Sequence, residues 1–299
     1  MHMHKESFQL SPAAVTVRAY AAYAISRKIP MCQLLAMNSS KPAALDFSFA
    51  GFTRRGGDTD EHRDGWGIAL HGSEGCTLLT DHLAAIDSPL AAQLQRNPVK
   101  ARNAVAHIRK ATQGRIAPEN THPFARELWG RTWSFAHNGD LKTWRAPAGG
   151  AYQASGDTDS EQAFCHLFNT LQLRFPDGEP SHAILRSAIE EVAREIAAHG
   201  TFNFILSDGE RLFAHCSTHL HYVIREYPFS VAQLIDCERS IDFRQHNHLD
   251  DRMAVIATHP LTKNEAWHAF SPGELKVFTG GAVLSVAPVR QAVYIQISH

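Results

Sequence analysis

Two amphipathic helical segments stand side by side in the middle of this chain, and short strands crowd both flanks. Thr158 with Glu161 three residues on forms a capping box, in which each side chain closes an open N–H at the helix start. It predicts a helix to about Leu173. Residues 181–198, closed by Gly200, predict a second one, with Ile184, Leu185, Ile189, Val192 and Ile196 spaced for one face. Elsewhere the apolar runs lie mostly too close together for the crossovers of about a dozen residues that parallel neighbours need. Antiparallel pairing follows, and with it an α+β fold of sheets sandwiched by helices.

Strands are predicted at residues 33–37, 68–70, 103–108 and 132–136, then at 219–224, 253–258, 275–278 and 293–297. Residues 202–206 and 212–215 read as a hairpin across Ser207-Asp208-Gly209. A polar turn is expected at residues 38–41, and a short helix runs from Ser88-Pro89 to Gln95, with serine as cap. Arg54-Arg55-Gly56-Gly57 and Asp64-Gly65-Trp66-Gly67 bracket a loop whose glycines mark tight backbone turns.

With 29 Lys+Arg against 30 Asp+Glu the net charge is −1, which lacks the basic excess that nucleic-acid binding demands. No apolar run approaches the ~18 residues needed to span a membrane. The cysteines Cys32, Cys76, Cys165, Cys216 and Cys237 are odd in number and have no Cys-x-x-Cys spacing. That argues against a disulfide framework or zinc ribbon and for a reducing cytoplasm. Histidine is abundant, but His246, His248 and Asp250 form the closest cluster and read as a solvated loop rather than a metal site.

Nucleophilic cleavage of an amide needs an activated nucleophile, donors for an oxyanion, and groups that hold the substrate. Cys32 follows Met31 directly, so a chain started at Met31 and trimmed of it would carry a thiol and an α-amine on one residue. Alone, such a cysteine reads as a small buried hydrophobe. Asn138-Gly139, at the end of a strand, offers a side-chain amide and a closely approachable N–H, or else a plain turn. Arg109, at the end of another strand, could clamp a carboxylate, although any single arginine reads first as a surface residue. Asp159, in the first turn of the first helix, could pair with an ammonium or merely complement the helix dipole. Together an Arg and an Asp would match the two charged ends of an α-amino acid.

These segments occur in a fixed order: Met31-Cys32, Arg55-Gly56-Gly57 with Asp64-Gly65-Trp66-Gly67, His107-Ile108-Arg109-Lys110-Ala111-Thr112, Asn120-Thr121-His122-Pro123, His137-Asn138-Gly139 and Thr158-Asp159-Ser160-Glu161. The ordered set resembles the class II glutamine amidotransferases, a family of N-terminal-nucleophile hydrolases. It is most similar to their small stand-alone branch, related to γ-glutamyl amidohydrolases. The resemblance runs from Met31 to about residue 280. It implies a four-layer α/β/β/α sandwich of two antiparallel sheets, and hydrolysis of glutamine or a γ-glutamyl amide through a Cys thioester, without metal or organic cofactor. By motif match Cys32 is the nucleophile with its own α-amine as base, and Asn138 and Gly139 form the oxyanion hole. Arg109 takes the α-carboxylate and Asp159 the α-amine, while Thr112 and His122 shape the pocket. A rival reading keeps the chemistry and delivers the ammonia to a separate synthase partner.

Residues 1–31 depart from that pattern. Residues 1–30 hold Lys5, Arg18, Arg27 and Lys28 with Glu6 as the single acid, and Arg18, Tyr20 and Tyr23 interrupt the apolar stretch that a secretory signal would need. We read residues 1–31 as an upstream extension, from a start assigned too early or a segment removed, and residues 32–299 as one domain. An internal Cys32 would have an amide in place of the basic amine.

Overall fold

In the computed structural model, residues 32–111, 115 and 117–285 are described. The first half runs β1 (Gln33–Ala44), α1 (Asp46–Arg54), β2 (Trp66–Gly72), β3 (Gly75–Asp81), α2 (Pro89–Arg96), β4 (Lys100–Ile108), β5 (Phe124–Leu128) and β6 (Arg131–Asp140). The central helices are α3 (Asp159–Arg174) and α4 (His182–Ala197). Then come β7 (Thr201–Ser207), β8 (Arg211–His215), β9 (His221–Arg225), β10 (Val231–Gln233), β11 (Ser240–Asp242), β12 (Met253–Ala257), β13 (His268–Ala269), β14 (Leu275–Thr279) and β15 (Ala282–Val283). Among the described residues, seven strands pair in the order β13-β9-β12-β1-β4-β2-β3 and six in the order β15-β14-β8-β7-β6-β5. Every pairing in both sheets is antiparallel.

Side-chain alternation assigns the layers. Leu35 and Met37 of β1 pack with Phe47, Phe49 and Phe52 of α1 and Ala91 of α2, while Leu34 and Ala36 face the second sheet. On that sheet Ala136, Ile205 and Ala214 meet them, and Phe135, Phe204 and Phe213 turn outward onto α3 and α4. The order is helices, sheet, sheet, helices, the expected four-layer α+β sandwich. Alanine recurs between the sheets at Ala36, Ala136, Ala214 and Ala254, and Phe135, Phe204 and Phe213 give α3 and α4 a bulky floor. Leu185, Ile189, Val192 and Ile196 of α4 are all buried, each contributing about 1.5–3 kcal/mol. Ile184, expected on that face, is 48% exposed.

Four local expectations change. β1 does not turn at residues 38–41 but continues through a register shift between Asn38 and Ala43. Asn38 is tolerated inside the strand because Nδ2 donates to Asn103 Oδ1 at 2.7 Å and Oδ1 accepts the N–H of Gly281 at 2.8 Å. Asn138 and Gly139 are not a turn, because β6 continues with Asn138 paired to Asn203 and Gly139 to Phe202. No element was expected at α1, where Phe47 and Phe49 alternate like a strand. In the capping box, Thr158 Oγ1 accepts the N–H of Glu161 at 3.2 Å, but the Glu161 carboxylate takes the N–H of Gly156 at 2.7 Å. Residues 293–297 lie outside the described residues.

Candidate active site

A cleft of about 320 Å³, open to solvent, lies where β1 begins and β4 ends. Gln33 pairs with Ile108, so Cys32 faces the chain leaving β4. There the N–H of Lys110 donates to Cys32 Sγ at 3.2 Å, and Sγ donates to the Lys110 carbonyl at 3.3 Å. Burial pushes the Cys32 thiol up to about 11, against the opposing pull of the Lys110 N–H, the Arg109 charge and the residue's own main-chain nitrogen. The Asp64 carboxylate adds to the rise. At pH 7 such a thiol is ionised in about one molecule in 10⁴, so it needs a base.

Arg109 extends the ladder beyond β4: its N–H donates to Gly65 O at 2.9 Å and its carbonyl accepts from Asp64 N at 3.3 Å. The Asp-Gly-Trp-Gly motif therefore fixes the exit of β4, and Asp64 Oδ2 also accepts the N–H of Ala111 at 2.8 Å. Gly65 has φ +102°, and a Cβ there would lie 2.8 Å from Asp81 O, so glycine alone fits. Arg109 is buried, lines the cleft and gives Nη1–H to Arg115 O at 3.0 Å.

Asp159 lines the same cleft from the first turn of α3. Its Oδ2 accepts the N–H of Leu141 at 2.8 Å, which ties the helix start to the end of β6, and its Oδ1 lies 3.2 Å from Ser160 Oγ. Buried Asn120 joins two loops: Nδ2 donates to Asp157 Oδ1 at 2.6 Å, and Oδ1 accepts the N–H of Asp157 at 3.1 Å. It thereby holds the segment carrying His122 against the one carrying Asp159.

Three histidines form a neutral wall. Burial lowers His107 to about 3, and lowers His122 and His137 as well. The His122 ring lies 4.3 Å from His107 and 4.5 Å from Phe124, centre to centre. Neither ring nitrogen of His107 or His122 has a hydrogen-bond partner. His137 gives Nε2–H to Thr201 O at 3.0 Å, which leaves Nδ1 to accept from Ser160 Oγ at 2.8 Å.

Cys32, Arg109, His122, Gly139 and Asp159 are thus brought together around one cleft. Asn138 is not among its walls: it is fully buried, with Nδ2 3.3 Å from Thr258 Oγ1 and Oδ1 without a partner. A Cβ on Gly139 would overlap Thr201 O and meet His137 Nε2 at 2.6 Å, so glycine is needed for close approach. Thr112 lies outside the described residues. His107, Lys110, His137 and Ser160 also line the cleft, and none was singled out from sequence, although all four stand inside the quoted motifs. Asp250, from the His246 cluster, pairs instead with Lys41 at 2.8 Å, and no cluster suited to a metal occurs among the described residues. No helix among them is long and apolar enough to cross a membrane.

Comparison with known proteins gives a concordant picture. The family model of class-II glutamine amidotransferases matches residues 31–296. YafJ of Escherichia coli (strain K12) is 44% identical over 251 residues, which cover 84% of this chain and 98% of YafJ. A crystal structure of a predicted glutamine amidotransferase from Pseudomonas aeruginosa PA01 is 37% identical with a TM-score of 0.65, covering 86% of this chain and 99% of that one. Glutamine phosphoribosylpyrophosphate amidotransferase from B. subtilis shares the fold at 16% identity and a TM-score of 0.52, with 85% of this chain and 48% of that one covered. By sequence and by fold, the chain belongs to the class II glutamine amidotransferases.

Proposed function

We propose that this protein hydrolyses glutamine or a γ-glutamyl amide through a thioester on Cys32, releasing ammonia or an amine. The observation that carries this reading is the cleft, in which Cys32, Arg109, Gly139 and Asp159 arrive from separate segments to line one space. Arg109 takes the α-carboxylate and Asp159 the α-ammonium of the glutamyl group, so the γ-carbonyl is presented to sulfur. Sulfur attacks that carbon, and its proton passes to the base and then to the departing nitrogen as the C–N bond breaks. Water hydrolyses the thioester and frees glutamate. Donors at Gly139 and Asn138 stabilise the oxyanion formed in each half-reaction.

The base is the α-amine of Cys32 in a chain that begins there. A thiol near 11 loses its proton readily only to a neighbouring lone pair, and the residue's own nitrogen already lies against the sulfur. An α-amine of pKa about 7.7–8.0 supplies that lone pair, whereas a peptide nitrogen has none to give. The family match that opens at residue 31 supports this start. The test is a panel of glutamine, glutathione and other γ-glutamyl amides, given to protein beginning at Cys32 and to its Cys32→Ala variant. Hydrolysis that needs the thiol is expected. Hydrolysis that survives the substitution would overturn the mechanism, and no hydrolysis across the panel would overturn the activity.

A further inference from the structure

Thr258 follows directly on β12 and is buried between the two sheets. Its Oγ1 accepts the N–H of Leu34 at 2.9 Å, two residues beyond Cys32 on the first sheet. The same oxygen lies 3.3 Å from Asn138 Nδ2, on β6 of the second sheet. Its main chain is also held, with N–H donating to Leu34 O at 3.1 Å and the carbonyl accepting His221 Nδ1–H at 2.9 Å. One hydroxyl therefore links the nucleophile's strand to the oxyanion residue.

The hydrogen bonds around it do not close as they stand. A threonine hydroxyl has one hydrogen and two acceptor positions, and here two N–H groups occupy the acceptor positions. Meanwhile Asn138 Oδ1, fully buried, has no donor. Turning the Asn138 amide over resolves both problems, since the two ends of an amide are assigned by their bonding. Thr258 then accepts from Leu34 and donates to Oδ1. Nδ2 takes the place of the unpartnered oxygen, next in sequence to Gly139 in the cleft wall.

We propose that Thr258 is a positioning residue: its hydroxyl holds the Asn138 amide oxygen and so aims the amide N–H toward the oxyanion. This rests on the reading of Asn138 as an oxyanion donor. An interaction made only as charge develops on the γ-carbonyl oxygen affects kcat and leaves substrate binding alone.

The experiment uses protein beginning at Cys32 with glutamine as substrate, and compares Thr258→Val, Thr258→Ser, Asn138→Ala and the Val/Ala double variant. Thr258→Val is expected to lower kcat at least ~10-fold, with KM and glutamate affinity within about twofold, and Thr258→Ser to restore most of the loss. Asn138→Ala is expected to cost ~10²–10³ in kcat, and adding Thr258→Val to it less than about twofold more. If valine is not accommodated, Thr258→Ala carries the same comparison against serine. A Thr258→Val kcat within twofold of the parent, or a loss that persists in full beside Asn138→Ala, would overturn the proposal. The same comparison is made on whichever γ-glutamyl amide of the panel the parent hydrolyses, and a parent inactive on the whole panel would instead overturn the hydrolase reading itself.

Discussion

Cys32 sits where its proton is held on, and the groups beside it divide the remaining work by charge. The three cleft histidines are neutral, so in the proposed mechanism the recognition of a zwitterionic glutamyl group falls to Arg109 and Asp159. Replacing Arg109 by Ala removes a charge-assisted contact worth about 1.5–3 kcal/mol. It should raise KM about 10–100-fold with little change in kcat, and unchanged kinetics would contradict that role. His107 predicts a pH effect on stability. Its native value near 3 lies below the ordinary 6.5, so below pH 6.5 the unfolded chain takes up a proton there that the native protein refuses. The stabilisation is complete above 6.5 and is lost as pH falls toward 3, at up to ~1.4 kcal/mol per pH unit. Urea titrations between pH 7 and 4.5 should show a shallower acid slope for His107→Gln. An unchanged slope would contradict the burial argument.

Among the elements, the legible ones are those whose signals are local. α3, α4 and the β7–β8 hairpin follow from a cap, a helical period and a Ser-Asp-Gly turn. β1 and β6 are longer than they read because partners across the sheet, Asn103 for Asn38 and Asn203 for Asn138, stabilise polar residues that look like turns. α1 is hidden because Phe47 and Phe49 alternate, and only the packing of Phe52 and Ala50 on the first sheet makes it helical. In the site, Cys32, Arg109, Gly139 and Asp159 were legible as an ordered set. Thr258 was not, since a threonine closing a strand carries no local mark. Gly67 tests how β2 supports the cleft: a Cβ there would overlap the carbonyl oxygen of His122 and approach Thr80 Cγ2 to 2.9 Å. Backbone cannot yield cheaply, so Gly67→Ala should cost about 1–3 kcal/mol in a thermal melt and displace the His122 loop. A melting point equal to the parent's would show that the loop is not seated on β2.

Across the whole molecule, the cleft depends on two sheets held in fixed relation, with Cys32 leading into β1 of one and Asn138 and Gly139 on β6 of the other. On the outer face of the first sheet, Arg225 of β9 clamps Glu265 with two bonds of 2.8 Å and reaches Ser48 of α1 at 2.9 Å. Burial raises the Glu265 carboxyl, but the guanidinium more than offsets it and holds it below the usual range. Arg225→Ala leaves that carboxylate buried and unpaired and should cost about 3–5 kcal/mol by urea unfolding, whereas a loss under about 1 kcal/mol would show the clamp to be dispensable. In the proposed mechanism the chemistry turns on the atom bonded to the Cys32 nitrogen. The mass and terminal sequence of the active protein settle that point most directly. Glutaminase activity should reside in chains whose first residue is Cys32, and full activity in chains that retain residues upstream of Cys32 would contradict it.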